Sequence, residues 1–217
     1  MGVDRRERVV HALLDAHGRT FADEAGIPLR DAPQPLYRLL VLSHLLSARI
    51  RGSIALATAR ALHEAGLRDP RRMAAATWQD RVDALGRGGY RRYDERTATQ
   101  LGDGAQLLTE RWGGDLRRLR READGEVRQL RRLLQEFPGI GPAGADIFLR
   151  EAQQVWPEAA PYLDAKALQG ADRLNLPRAP KRLAALAGDT GTAALAAALV
   201  RAAVDRQVAE DTLRRAG

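Results

Sequence analysis

The chain has 217 residues and a net charge of +7, and arginine carries almost all of its positive charge because only Lys166 and Lys181 are lysines. It contains no cysteine, which excludes disulfides, thiolate zinc sites and cysteine-ligated iron–sulfur clusters. The sequence has no signal-peptide core and no membrane-length apolar run, so a cytoplasmic protein without a membrane partner is expected, associated with the nucleoid if bacterial. The basic balance favours a polyanionic partner, although arginine dominance can equally reflect codon bias.

Hydrophobic periodicity predicts helices nearly throughout the chain and no strand, which indicates an all-α fold. The first helix is expected over 5–17, and residues 18–33 are expected to form a loop. Further helices are predicted at about 36–48, 53–65, 77–86, 93–111, 115–123, 164–174, 180–187 and 191–215. The C-terminal helices are expected to close their domain by apolar packing, through Leu195, Leu199, Val204 and Val208.

The most informative segment is a Pro/Gly turn over 137–145, between two helical patterns. Gly139 and Gly141 can adopt the positive φ values of a tight hairpin, and Pro142 suits the first turn of a helix. The second helix therefore begins with free backbone N–H groups and little side chain in the way, and such a terminus binds a phosphate. Apolar residues at helical spacing flank the turn: Leu130, Leu133, Leu134 and Phe137 before it, and Ala145, Phe148, Leu149, Ala152 and Trp156 after it.

Together with Asp164, which follows Ala145 by 19 residues, this hairpin resembles the helix–hairpin–helix DNA glycosylases related to endonuclease III. Two upstream segments are similar as well. Residues 45–49, Leu-Leu-Ser-Ala-Arg, stand where the family has Leu-Leu-Ser-Ala-Gln, and residues 88–92, Gly-Gly-Tyr-Arg-Arg, stand where it has a Gly-x-Tyr turn on its DNA face.

The resemblance extends over about 36–176 and implies a two-domain, all-α architecture. A six-helix barrel is expected at about 34–155, with the helix–hairpin–helix motif at about 126–156. It is expected to pack on a second helical domain formed by both termini, residues 1–33 plus 156–217, with the active site in the cleft between them.

The activity implied by the resemblance is base excision repair of double-stranded DNA by a monomer that hydrolyses the N-glycosidic bond of a flipped-out damaged base. Asp164 matches the family's aspartate, whose carboxylate stabilises the oxocarbenium-like sugar and activates water. The same aspartate also reads as a simple N-cap of the following helix, and the two interpretations are compatible. An alkylated purine is the first choice of substrate, because a cationic base leaves easily; deaminated and oxidised bases stay open.

Bifunctional family members carry a nucleophilic lysine at the position of Ala143. The chain is therefore expected to be monofunctional, with weak or absent AP-lyase activity. Lys166 is the second candidate for an amine, and its alternative is a phosphate-contacting or solvated lysine. His44 stands where adenine-specific members carry a catalytic glutamate; the alternative is a buried histidine bonded to a backbone carbonyl.

The resemblance also implies DNA contacts. Arg49 stands in place of a wedging glutamine, although it also reads as an arginine at an exposed helix end. A basic–aromatic cluster at 90–93 suits phosphate contact and stacking. Arginine runs at 117–121 and 131–132 are interpreted as solvated helix faces. The predicted DNA-binding residues are Arg49, Tyr90, Arg91, Arg92, Gly139, Gly141, Ala143 and Gly144.

No cofactor is expected apart from a structural Na⁺ or K⁺, because related hairpins hold a monovalent cation through backbone carbonyls. In this chain the backbone carbonyls of Phe137, Gly139 and Pro142 would hold the ion. Two other functions stay open at this point. One is a non-catalytic helix–hairpin–helix module that binds damaged or bent DNA. The other is an all-α scaffold whose hairpin only joins two helices.

Overall fold

The computed structural model describes residues 4–217, which are helical nearly throughout and contain no strand. The predicted all-α class is therefore confirmed. The helices in chain order are α1 (Arg5–His17), α2 (Phe21–Glu24), α3 (Pro33–Ser47), α4 (Gly52–Glu64), α5 (Pro70–Ala75), α6 (Trp78–Arg87), α7 (Asp94–Trp112), α8 (Leu116–Glu122), α9 (Val127–Leu134), α10 (Pro142–Ala152), α11 (Ala165–Arg173), α12 (Pro180–Ala187), α13 (Thr192–Val204) and α14 (Arg206–Ala216).

Local capping chemistry explains why several helices begin where they do. Asp4 and Glu7 form a capping box at the start of α1, and Thr77 and Asp80 form another at the start of α6. In each box the first side chain accepts a backbone N–H of the first turn, while the second accepts the N–H of the cap. These caps lie at the predicted helix starts, within a residue.

Three sequence predictions were wrong. The loop expected over 18–33 contains the short helix α2, and the short helix α5 was missed. The single helix expected over 191–215 is broken at Asp205, whose backbone is extended and whose side chain accepts the Gln207 N–H at 2.9 Å. Because the chain turns there, Val204 is 65% exposed instead of facing the core, whereas Leu195 and Leu199 are buried as expected.

The chain divides into two compact units, a terminal unit that runs to Phe21 and resumes at Arg150–Gly217, and a central unit, Ala22–Leu149. Both boundaries lie earlier in the chain than the sequence analysis placed them. Arg60 donates to the Glu24 carbonyl at 2.7 Å, and Arg38 donates to the Gly26 carbonyl at 2.9 Å. These bonds attach the segment after Phe21 to α3 and α4, which explains the first boundary.

In the central unit, α3 is almost continuously apolar and is buried on most sides. The apolar residues that flank the hairpin are all buried, so the predicted core faces of α9 and α10 are confirmed. Phe137 stacks on Trp112 with ring centroids 5.5 Å apart, which anchors the start of the turn.

In the terminal unit, α11 and α13 pack so closely that a Cβ at Gly170 would lie 1.8 Å from the Leu199 carbonyl oxygen. Only glycine fits at this contact. Among the described residues, no individual helix has the length and apolar character to cross a membrane; one bent pair, 180–190 with 192–204, passes by length and composition only.

Two glycines at the end of α6 test the packing of the central unit. A Cβ at Gly88 would lie 2.2 Å from the Thr58 Cα on α4, whereas a Cβ at Gly86 would meet nothing within 4 Å. We expect Gly88→Ala to lower the free energy of unfolding by about 2 kcal/mol or more, because backbone must move apart. Gly86→Ala is expected to raise it by about 0.5–1 kcal/mol, since alanine favours the helix. Urea denaturation measures both, and equal effects would contradict the close approach of α6 and α4.

Candidate nucleic-acid interface and catalytic acid

The hairpin between α9 and α10 exposes its backbone. Gly139 has φ of +83°, a conformation that favours glycine, and the Ile140 N–H closes the turn on the Phe137 carbonyl at 3.0 Å. The first helical bond of α10 runs from the Ala145 N–H to the Gly141 carbonyl, so the N–H groups of residues 143 and 144 have no acceptor within the helix. Gly141, Pro142 and Ala143 are exposed, which leaves this helix end open to an anion.

A bidentate ion pair joins the two helices of the hairpin. Arg131 on α9 donates to Asp146 on α10 through Nε, at 2.6 Å from Oδ1, and through its terminal nitrogen, at 3.2 Å from Oδ2. Such paired bonds fix relative orientation as well as distance. Arg131 was expected to be solvated, and the structure instead gives it this role within the motif.

His44 lies directly beneath the hairpin and is buried. Its Nε2 is 3.2 Å from Gln100 Oε1, and its Nδ1 has no hydrogen-bond partner. A Cβ at Gly139 would lie 2.0 Å from that Nε2 and 2.6 Å from the glutamine oxygen, so only glycine allows the turn to rest on this pair. The partner of His44 is therefore a side-chain amide, and not the backbone carbonyl that the sequence analysis offered as an alternative. Its role in a base pocket stays a prediction.

The environment of His44 disfavours its protonation. Burial lowers the pKa of His44 below its ordinary value, the hydrogen bond to Gln100 opposes this shift, and the charge of Arg96 adds to it. A cavity of about 20 Å³, room for one water molecule, lies beside the ring.

The bend after α3 carries Arg49, which is exposed as predicted. α3 ends at Ser47, whose hydroxyl donates to the His44 carbonyl at 2.7 Å. A Cβ at Gly144 would lie 3.5 Å from the same hydroxyl oxygen, so the end of α3 contacts the first turn of α10. Arg49, the predicted wedge residue, therefore lies two residues after a residue that contacts the first turn of α10.

The turn at 88–93 contains one corrected prediction. Tyr90 is only 2% exposed and its hydroxyl lies 3.1 Å from Thr97 Oγ1, so its ring cannot stack on a nucleobase at the surface. It packs inward because Gly88 and Gly89 bring the turn against α4. Arg91 is exposed, and the Arg92 guanidinium lies over the exposed Tyr93 ring at 5.3 Å from its centroid. Tyr93 is thus the aromatic residue that this turn presents to solvent.

Asp164 is the N-cap of α11. Its Oδ1 accepts the Ala167 N–H at 3.1 Å and lies 3.7 Å from the Nε of Arg150. This Nε is buried and forms no hydrogen bond. No hydrogen bond to the other Asp164 oxygen, Oδ2, is found among the described residues, and the side chain is 11% exposed. The predicted capping role is therefore confirmed, and one oxygen stays available for chemistry.

The segment 153–163 joins the end of α10 to Asp164 and is clamped by its first residue, Gln153. The Gln153 amide nitrogen donates to the carbonyls of Arg150 and Tyr162, at 2.8 and 2.9 Å, and its oxygen accepts the Tyr162 N–H at 2.8 Å. Gln153 is buried, so these bonds are shielded from water. Arg150 and Gln153 were not predicted, because nothing in the helical spacing of the segment around the end of α10 marks them as buried.

Lys166 is exposed, and its Nζ donates to Gln169 Oε1 at 3.0 Å. No group of three or more His, Cys, Asp or Glu residues within 4–217 could hold a metal ion. The monovalent cation predicted at the hairpin would be held by carbonyls instead, and that of Phe137 already accepts the Ile140 N–H, which leaves it one lone pair.

No protein-family model matches the chain. No curated protein matches it either. Among solved structures, it is similar to a trapped covalent intermediate of endonuclease III with DNA, an estranged-adenine complex. The TM-score is 0.49 and the identity 15%, and the match covers 92% of this chain and 86% of that one. A likeness this low establishes no shared activity, so function has to be inferred from the residues described above.

The burial of His44 predicts a stability loss on acidification. Its folded pKa lies below the unfolded value of about 6.5, so the unfolded chain binds the extra proton and stability falls as the pH drops through 6.5 toward the folded value. Burial also lowers the pKa values of His17 and His63, so His44→Gln is expected to remove only its own share of the stability lost between pH 7 and 5.

Urea unfolding at both pH values measures this share. The control is His11→Gln, at an exposed position on α1. An unchanged pH dependence in His44→Gln would show that the folded chain accepts a charged imidazole under the hairpin.

Proposed function

We propose that this protein is a monofunctional DNA glycosylase that removes a damaged base from double-stranded DNA and leaves an abasic site. The observation that carries the proposal is the open N-terminal end of α10, combined with a carboxylate, that of Asp164, held at a helix N-cap with one free oxygen. The sequence resemblance to helix–hairpin–helix glycosylases, carried by the residues that form these two features, supports it.

The hairpin binds a phosphate of the DNA backbone. Backbone N–H groups of residues 143 and 144 lack helical acceptors, and the helix dipole adds partial positive charge at the same end. Neither Gly141 nor Ala143 carries a side chain that would hold a phosphate at a distance. The contact involves only backbone and does not read sequence, which suits an enzyme that must find damage in any context.

Asp164 stabilises the positive charge that develops on the sugar as the base departs. The carboxylate is held in place by the Ala167 N–H and by Arg150, and Gln153 fixes the segment that leads to it. A preorganised carboxylate costs no reorganisation during the reaction, which is the main requirement of electrostatic catalysis. The free Oδ2 orients the attacking water.

Water is the nucleophile in this proposal. Ala143 stands at the position of the family's lysine and has no nucleophilic group, and Lys166 points its amine to Gln169 on the surface of α11. No Schiff base forms, and base release is not followed by strand cleavage.

A second function, damage binding without catalysis, is favoured by one specific observation. Asp164 has a complete structural explanation as the cap of α11 and the counter-ion of buried Arg150. A buried arginine needs such a partner whether or not the protein is an enzyme. The two functions make the same DNA contacts and differ only in base release.

Asp164→Asn separates the two functions. Asparagine caps a helix as well as aspartate, so the cap of α11 is expected to persist, whereas the charge that stabilises the sugar cation, and that also faces buried Arg150, is lost. We expect the single-turnover rate of base release to fall about 100-fold or more, with little change in DNA affinity. The assay is a panel of duplexes with alkylated, deaminated or oxidised bases, treated with alkali after reaction.

The matched control is Asp205→Asn, which makes the same change at the N-cap of α14 and is expected to leave the rate unchanged. Base release from no lesion by the unmodified protein, at full DNA binding, would establish the binding module instead.

Borohydride trapping tests the nucleophile. We expect no covalent adduct with a duplex that the protein processes, because the chain has no amine at position 143. Lys166→Ala is expected to release base at the unmodified rate. An adduct that forms with the unmodified protein and disappears in Lys166→Ala would overturn the monofunctional mechanism.

A further inference from the structure

Some arginines of the central unit are paired with acids. Arg111 contacts Glu122 at 2.7 Å, and it also contacts Glu136. Three further ion pairs follow the same pattern: Arg117 with Asp115 at 2.8 Å, Arg120 with Asp31 at 2.9 Å, and Arg131 with Asp146 at 2.6 Å. The charge of each of these arginines is compensated by a carboxylate of the protein, and a polyanion would have to compete with that carboxylate.

Several exposed arginines of the same unit have no ion pair among the described residues, and four of these lie close in sequence to contacts around the hairpin. These four are Arg49, Arg51, Arg91 and Arg96, named here the arginine rim. The neighbouring acids on α7 are Asp94, which accepts the Glu95 N–H, and Glu95 itself, and neither pairs with a rim arginine. The rim therefore keeps its full positive charge toward solvent.

Two rim arginines follow a contact with the hairpin. The Ser47 hydroxyl, at the end of α3, lies 3.5 Å from the Cβ position of Gly144. Arg49 comes two residues later, in the bend, and Arg51 is the N-cap of α4. Both arginines therefore follow within four residues of a contact with the first turn of α10.

The other two rim arginines lie beside the same elements. Arg96 stands one helical turn before Gln100, which contacts Gly139, and its charge reaches the buried His44 imidazole. Arg91 follows Gly89, whose Cβ position is 4.0 Å from Ile54 on the first turn of α4. The hairpin thus contacts α7 at Gln100, and the turn before α7 contacts the first turn of α4 at Ile54.

We propose that the arginine rim is the phosphate-binding surface that flanks the hairpin, and that Arg51 and Arg96, like Arg49 and Arg91, each bind a phosphate of duplex DNA. This inference rests on the proposed function and extends it from one backbone phosphate at α10 to several on either side. Uncompensated guanidinium groups suit phosphate oxygens, because they donate hydrogen bonds in a planar fork without first leaving a carboxylate.

The test is the salt dependence of binding to an undamaged fluorescent duplex, followed by anisotropy between 50 and about 300 mM KCl. Each phosphate contact contributes about 0.9 to the slope of log affinity against log salt. Arg51→Ala and Arg96→Ala are each expected to lower the slope by about 0.9 and to weaken binding roughly tenfold. Arg96→Lys is expected to keep most of the slope, because a phosphate contact needs the charge.

The matched control is Arg117→Ala, which makes the same change in net charge but removes an arginine already paired with Asp115. Its slope is expected to equal that of the unmodified protein. Equal losses in all three alanine variants would mean that net charge alone acts, and unchanged slopes in the Arg51 and Arg96 variants would place the phosphates elsewhere; either result overturns the rim.

Base release from the lesion panel, measured at saturating protein, keeps the two proposals apart. Release with rim variants that bind normally would reject the rim and leave the glycosylase standing. No release with the expected slopes would reject the glycosylase and leave the rim standing. Thermal melting of each variant confirms that a loss of binding comes from a folded protein.

Discussion

The close approach of Gly139 to His44 and Gln100 is the constraint on which the candidate interface depends. No side chain fits between the turn and this buried polar pair, so the backbone of the hairpin rests directly on the imidazole. Apolar packing alone has no directional preference. The hydrogen-bonded pair of His44 and Gln100 has a defined geometry, and the backbone of the turn is positioned against it. Ser47 and Arg96, one turn away from the pair along α3 and α7, take their positions from the same contact.

Hydrophobic periodicity was enough to predict the helices whose apolar residues form a continuous stripe. It failed where one apolar pattern is compatible with two different local structures. The hairpin helices were predicted correctly because each apolar position on either side of the turn faces a core. The break at Asp205 could not be predicted, because the apolar pattern continues past it and a helix interior tolerates aspartate at small cost. Tyr90 shows the same limit, since its turn was located correctly but the packing of Gly88 on Thr58 turns the ring inward.

The site divides in a similar way between local and long-range information. Asp164 could be identified as a cap because capping needs only the adjacent first turn. Arg150 and Gln153 could not be identified, because they read as ordinary polar positions near the end of α10. Both are buried, and their side chains contact the segment that leads to Asp164 or Asp164 itself. Residues that act through a neighbour distant in sequence leave no local pattern, and these two are of that kind.

The net charge of +7 illustrates why composition alone is weak evidence for a partner. A polyanion is attracted by the charges that no acid of the protein compensates. The fold determines which arginines are paired with a carboxylate and which are not. In the run at 117–121, Arg117 and Arg120 face Asp115 and Asp31, so the most basic stretch of the sequence is partly neutral toward solvent. Arg118 and Arg121 of the same run have no ion pair among the described residues, and neither do the rim arginines, whose distinction is their position near the hairpin. Isolated basic residues near an open helix N-terminus are therefore better indicators of a nucleic-acid surface in this protein than its basic runs.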